Sequence, residues 1–143
     1  MTPRPRRLLF VCVENSCRSQ MAEAFARSAG GPGVEAHSAG SRPSGQVNPR
    51  AVEYMAEIGL DLGTHTSKGL TDLPAVEFDC AITMGCGDAC PAVRARRRED
   101  WQIPDPKHLA ADEFRRVRDE IGEKVKALLA RVACEASTTE DGL

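Results

Sequence analysis

Residues 8–20 read LLFVCVENSCRSQ. The apolar run from Leu8 to Val13 has the length of a buried strand and stops at Glu14, and Arg18 and Ser19 follow Cys12 at a distance of one tight loop. This order predicts a strand feeding an anion-binding loop. One turn of backbone points its N–H groups at a tetrahedral oxyanion, and Arg18 adds two parallel charge-assisted hydrogen bonds. The field that holds an anion also favours a thiolate. Cys12, at the base of the loop and near a helix N-terminus, is therefore the candidate nucleophile. The candidate oxyanion-binding set is Val13, Glu14, Asn15, Ser16, Cys17, Arg18 and Ser19, with Asn15 suited to a left-handed backbone position.

Outward from that loop, helical and extended patterns alternate. SQMAEAFARS, residues 19–28, sets Met21, Ala22, Ala24, Phe25 and Ala26 at helical spacing and ends at Gly30 and Gly31. Residues 34–37 are a short strand candidate, and SAGSRPSGQ after them has the composition of a loop. Asn48 and Pro49 cap a second helix with Ala51, Val52, Met55 and Ile58 on one stripe and Gly59 at its end. The polar segment DLGTHTSK, residues 61–68, brings His65 back toward the sheet. FDCAITM, residues 78–84, has the apolar density of a buried parallel strand and opens into GCGDACP, a loop at a strand's C-terminal end.

The basic run RARRR reads as a solvated face with no assigned function, and residues 101–103 are the candidate edge strand before PDP. From Leu109 onward, Phe114, Val117, Ile121, Val125, Leu128 and Leu129 recur at helical spacing and predict a long amphipathic helix. Residues 1–6 and 135–143 read as flexible ends, leaving an ordered core of about residues 7–134. Strands alternating with helices predict an α/β protein with a parallel sheet covered on both faces and its ligand beyond the strand C-termini.

At 143 residues the chain is expected to form one domain, residues 1–143, with neither repeat nor linker. A net charge of −2 and an aromatic content of 4% exclude the basic, stacking surface that nucleic acid requires. The head MTPRPRRLLFVCV has the charge order of a signal peptide, but its apolar run is too short for one, and no stretch is long enough to span a membrane. The expected location is cytoplasmic. In a reducing compartment the cysteines at 12, 17, 80, 86, 90 and 134 are not a disulfide framework. Cys80 and Cys134, among apolar neighbours, read as buried free thiols.

Together these residues resemble the low-molecular-weight protein tyrosine phosphatase superfamily, and within it the arsenate reductase branch. VCVENSCRSQMAEAF resembles the family's phosphate loop and first helix, HSAGSRP its second strand and loop, NPRAVEYMAEIGLDLGTHTSK the segment after it, and IPDP carries its Asp-Pro pair. The resemblance implies a three-layer α/β/α fold with a four-stranded parallel sheet, probed by phosphate or sulfate as mimics of arsenate, with no cofactor or metal. It implies that Cys12 attacks the arsenic of arsenate and that Arg18 and the loop amides hold its oxygens. Ser19 would then donate to the thiolate, and Asp105 would protonate the departing oxygen. Asn15, Ser19, Ser38 and His65 are implied loop supports, with Glu23 and Lys68. Where part of the branch binds potassium near an acidic residue, this chain has Lys68, whose ammonium can take that place.

Reduction requires a second thiol. Cys86 is the expected attacker of the Cys12 adduct, and Cys90 the cysteine that takes over the resulting disulfide for an external dithiol such as thioredoxin. Only three residues separate Cys86 from Cys90, fewer than in the well-known thioredoxin-coupled members, which leaves mycothiol or glutathione open as the reductant. Cys17 is a neighbour able to form a protective disulfide with Cys12 on oxidation. Two alternatives stand beside reduction: hydrolysis of phosphomonoesters, and metal or arsenite binding through Cys86 and Cys90. Against the first, Lys107 and His108 stand where tyrosine phosphatases carry tyrosines flanking the substrate ring, and Gln20 where they carry proline. A monomer is expected.

Overall fold

Four parallel strands in the order β2-β1-β3-β4 form the centre of the computed structural model. It describes residues 5–84 and 94–141, the side chains as far as residue 132. The strands are β1 (Arg6–Cys12), β2 (Val34–Gly40), β3 (Phe78–Thr83) and β4 (Ala95–Asp100), and the helices are α1 (Arg18–Gly30), α2 (Pro49–Ala56) and α3 (Ala111–Asp141).

β1 is paired on both sides and buried from Leu8 onward, so its residues alternate between two cores rather than between core and solvent. Leu8, Phe10 and Cys12 point to one face, where Met21 and Ala22 of α1, Tyr54 and Met55 of α2, and Phe114, Val117, Ile121, Val125 and Leu128 of α3 close over them. Leu9 and Val11 point to the other face with Ala39, Phe78 and Ala81. Leu70, Leu73 and Val76, on and beside a 3-10 turn at Leu70–Asp72, cover that side. Among the described residues this second layer is thin, and the three α-helices share the first face.

Asn48 starts α2 as expected, its side chain accepting from Arg50 N at 2.8 Å. Four details depart from the sequence expectation. β2 runs to Gly40, three residues past His37, because Ser38, Ala39 and Gly40 pair with Phe10, Val11 and Cys12 despite their loop-like composition. Ile58 is 42% exposed, since α2 ends at Ala56, and Tyr54 takes its place on the buried stripe. The edge strand is the basic run itself, Ala95–Asp100. Its charged side chains face water and block further strand addition, while Trp101 and Ile103 are buried against the helices. α3 continues to Asp141, past residue 135 where the sequence places a flexible tail. The segment holding Cys86 and Cys90 and the side chain of Cys134 lie outside the described residues.

Candidate active site

β1 ends at Cys12 on the C-terminal edge of the sheet, and residues 13–17 turn there into α1. The loop is held from outside by its carbonyls. Val13 O accepts from Arg42 N (2.8 Å), Glu14 O from Ser44 N (3.0 Å) and Ser67 Oγ (3.0 Å), Asn15 O from Gln20 Nε2 (3.1 Å), and Ser16 O from Asn48 N (2.9 Å). A peptide's C=O and N–H point in opposite directions, so four successive carbonyls turned outward aim the amides at the loop's centre, where the α1 N-terminus adds its partial positive charge. Asn15 adopts the left-handed conformation, φ 51°, that makes this turn possible.

Cys12 Sγ lies 2.9 Å from Ser19 Oγ, and Ser19 Oγ accepts from Asn15 Nδ2 at 2.8 Å. The Ser19 hydroxyl, with one lone pair taken by Asn15, still has its proton to offer a thiolate and a second lone pair to accept from a thiol. Asn15 Oδ1 in turn accepts from Lys68 N (2.6 Å) and Gln20 Nε2 (2.9 Å). Gln20 Nε2 also donates to Thr66 O (2.8 Å), so its Oε1 is left as acceptor for His65 Nδ1 at 2.9 Å. This fixes the proton of His65 on Nδ1. Burial holds the His65 imidazole below its ordinary pKa, against the pull of the Glu23 carboxylate 3.8 Å away. His65 is thus a neutral donor behind the loop.

Ser38 donates to buried Glu23, which also pairs with Arg27 at 2.8 Å. The Lys68 ammonium lies 3.6 Å from Glu23 Oε1 and donates to Thr66 O at 3.0 Å. Gln20, fully buried, is the hub that sequence reasoning did not mark as a support; a glutamine in the first turn of a helix carries no pattern that distinguishes it from a solvated one. Gly40 was missed as well. A Cβ there would meet Val13 O at 2.5 Å and Asn15 N at 2.8 Å, so the loop lies directly on the β2 backbone.

Cys12, Val13, Glu14, Ser16, Cys17, Arg18 and Asp105 line one cavity of about 230 Å³, below the ~300–1,000 Å³ of pockets that enclose drug-sized ligands. Arg18 donates to Ile103 O at 3.0 Å and lies 3.9 Å from Asp105 Oδ2, which draws the distant Ile103-Pro-Asp105 stretch to the loop. Asp105 is 48% exposed and its Oδ1 accepts from Lys107 N at 3.1 Å, so it caps the turn Pro106–His108 as well as facing the cavity. Asn15 and Ser19, though part of the loop, do not line the cavity; they are wholly buried and engaged in the bracing network. Burial, with Asp105 and Cys12 adding to it, pushes the Cys17 thiol up to about 12, so it faces the cavity as a neutral group.

A profile described as "Low molecular weight phosphotyrosine protein phosphatase" matches residues 7–138. A glutaredoxin arsenate reductase of Synechocystis sp. is 37% identical over 131 residues, covering 90% of this chain and 99% of that protein. A solved structure titled "An arsenate reductase in the phosphate binding state" superposes with a TM-score of 0.81 at 38% identity over 88% of this chain and 98% of its own. The thioredoxin-dependent arsenate reductase Cg_ArsC1' of Corynebacterium glutamicum gives 0.78 at 31% identity, over 94% and 65%. With residues 7–138 matched by the family model and nine-tenths of the chain aligned to a relative 37% identical, this protein belongs to the low molecular weight phosphotyrosine protein phosphatase family, on the side of it that holds the arsenate reductases.

Proposed function

We propose that this chain reduces arsenate to arsenite in the cytoplasm, as a monomer, and so detoxifies arsenic. The observation that carries the reading is the convergence of Cys12, Arg18 and Asp105 on one small cavity, in a chain similar to proteins named arsenate reductases. The Cys12 thiolate attacks arsenic while Arg18 and the loop amides hold the remaining oxygens. The As–O bond breaks, and the departing oxygen takes a proton from Asp105 and leaves as water. A second thiolate, from Cys86, then attacks Cys12 Sγ. The S–S bond forms, the As–S electron pair stays on arsenic, and arsenic(V) leaves as arsenic(III). Cys90 attacks Cys86, frees Cys12, and passes the disulfide to thioredoxin or to a low-molecular-weight thiol such as mycothiol or glutathione.

Hydrolysis of phosphomonoesters is the second reading, because phosphate and arsenate share shape and charge. The cavity's size and the presence of Lys107 and His108 after Asp105 favour the inorganic substrate. Metal or arsenite binding through Cys86 and Cys90 rests on residues outside those described. The relay is tested in the Cys90→Ser variant: arsenate turnover is expected to stall with a Cys12 to Cys86 disulfide visible by mass spectrometry. Undiminished multiple turnover with thioredoxin would count against it. Parallel assays with thioredoxin, glutaredoxin plus glutathione, and a mycothiol system would identify the donor.

A further inference from the structure

Glu14 is an unexpected wall for an anion site. Glu14 is one of the residues lining the cavity, and its carboxylate charge is felt there by the Cys17 thiol, so it repels any dianion that enters. From the turn after Asp105, Lys107 Nζ lies 3.0 Å from Glu14 Oε1 and 3.2 Å from Oε2, engaging both oxygens. The two side chains are 39% and 35% exposed, so the pair is partly withdrawn from water. The Glu14 hydrogen bond raises the pKa of Lys107 above its ordinary value, so the ammonium stays charged at neutral pH. Lys107 is also anchored through its backbone, its carbonyl accepting from Arg50 at 3.1 Å and its N–H donating to Asp105. One ion pair therefore links the oxyanion loop to the turn that carries Asp105.

Displacement at a tetrahedral centre places the leaving group opposite the nucleophile, on the side of the acid that protonates it. Here that side is the one that holds Asp105, and two residues further on Lys107 crosses to Glu14. A water leaving on that side is smaller than the alcohol of an ester, which would have to pass this ion pair.

We propose that the Glu14–Lys107 pair determines specificity at this site, Lys107 cancelling the repulsion of Glu14 and the pair together disfavouring phosphomonoesters relative to free inorganic oxyanions. The proposal rests on the oxyanion-site reading above. Its test is the dissociation constant of the intact protein for inorganic phosphate and for benzylphosphonate, whose benzyl group extends where an ester's alcohol would. Lys107→Met alone should weaken phosphate about threefold to tenfold by uncovering Glu14. Glu14→Gln with Lys107→Met should restore phosphate binding and tighten benzylphosphonate relative to phosphate about fivefold, and Lys107→Arg should keep the wild-type ratio. A merely structural role for Lys107 predicts no rescue by the second substitution. Unaltered phosphate binding in Lys107→Met, or an unaltered ratio in the double variant, overturns the proposal. Failure of the wild-type protein to bind phosphate overturns the oxyanion reading with it.

Discussion

Ser19 holds two hydrogen bonds: it accepts from Asn15 and shares the second with the Cys12 sulfur, to which its proton is available when that sulfur is a thiolate. The Cys12 sulfur is thereby joined to a chain of groups that runs through Asn15 and Gln20 to His65, a residue whose effect on stability has a definite sign. Unfolded, His65 takes up a proton near pH 6.5; folded, burial holds its pKa lower. Below about 6.5 the unfolded chain therefore binds more protons than the folded one, and the stability present above that pH is lost as pH falls toward the folded pKa. Between pH 7 and 5.5 the melting temperature should fall more steeply in the wild-type protein than in His65→Gln, which keeps a donor that does not titrate. Asp105 has a different part. Asp105→Asn should lower the rate of arsenate reduction about 100-fold, the scale of a lost general acid. Phosphate affinity, measured by calorimetry, should hold or tighten, because a negative charge has left the cavity wall.

At the scale of elements, the strand and loop of residues 8–20 were legible because their chemistry is local. The apolar run, the loop residues and the arginine all fall within one stretch of chain. β4 was not legible. An edge strand whose residues are selected to face water and repel further strands looks like a solvated charge run, and hydropathy cannot tell the two apart. The last residues of β2 were hidden by another cause. Ser38, Ala39 and Gly40 have loop composition because Ser38 holds Glu23 and Gly40 must lie flat beneath the oxyanion loop. Gly40→Ala should accordingly push Val13 and Asn15 outward, destabilise the fold by about 1–3 kcal/mol in denaturant unfolding, and weaken phosphate binding. Gly33→Ala is the control: a Cβ there meets nothing within 4 Å, and its stability should stay within about 0.5 kcal/mol of wild type.

Across the whole molecule, the site draws on parts of the chain far apart in sequence. β1 supplies Cys12, residues 61–68 return His65 and Lys68 behind the loop, and Arg18 reaches Ile103 and so fixes Asp105 at the mouth. α2 and α3 are tied together beneath it, with Glu57 held by Arg115 (2.9 Å) and Arg118 (2.8 Å), while Arg131 of α3 pairs with Glu99 of the edge strand at 2.7 Å. The alternation of patterns predicts the parallel sheet, but these long-range closures depend on which buried polar atoms find one another, which periodicity does not record. Gln20 is the example: its importance lies in joining Asn15 of the loop to His65 and Thr66, some 45 residues away. The central claim, that this assembly reduces arsenate, is tested most directly by following reductant consumption on adding arsenate, beside hydrolysis of an aryl phosphate. One disulfide equivalent should be formed per arsenite released, with none in Cys12→Ser. Strong hydrolysis with no arsenate-dependent consumption would contradict the account.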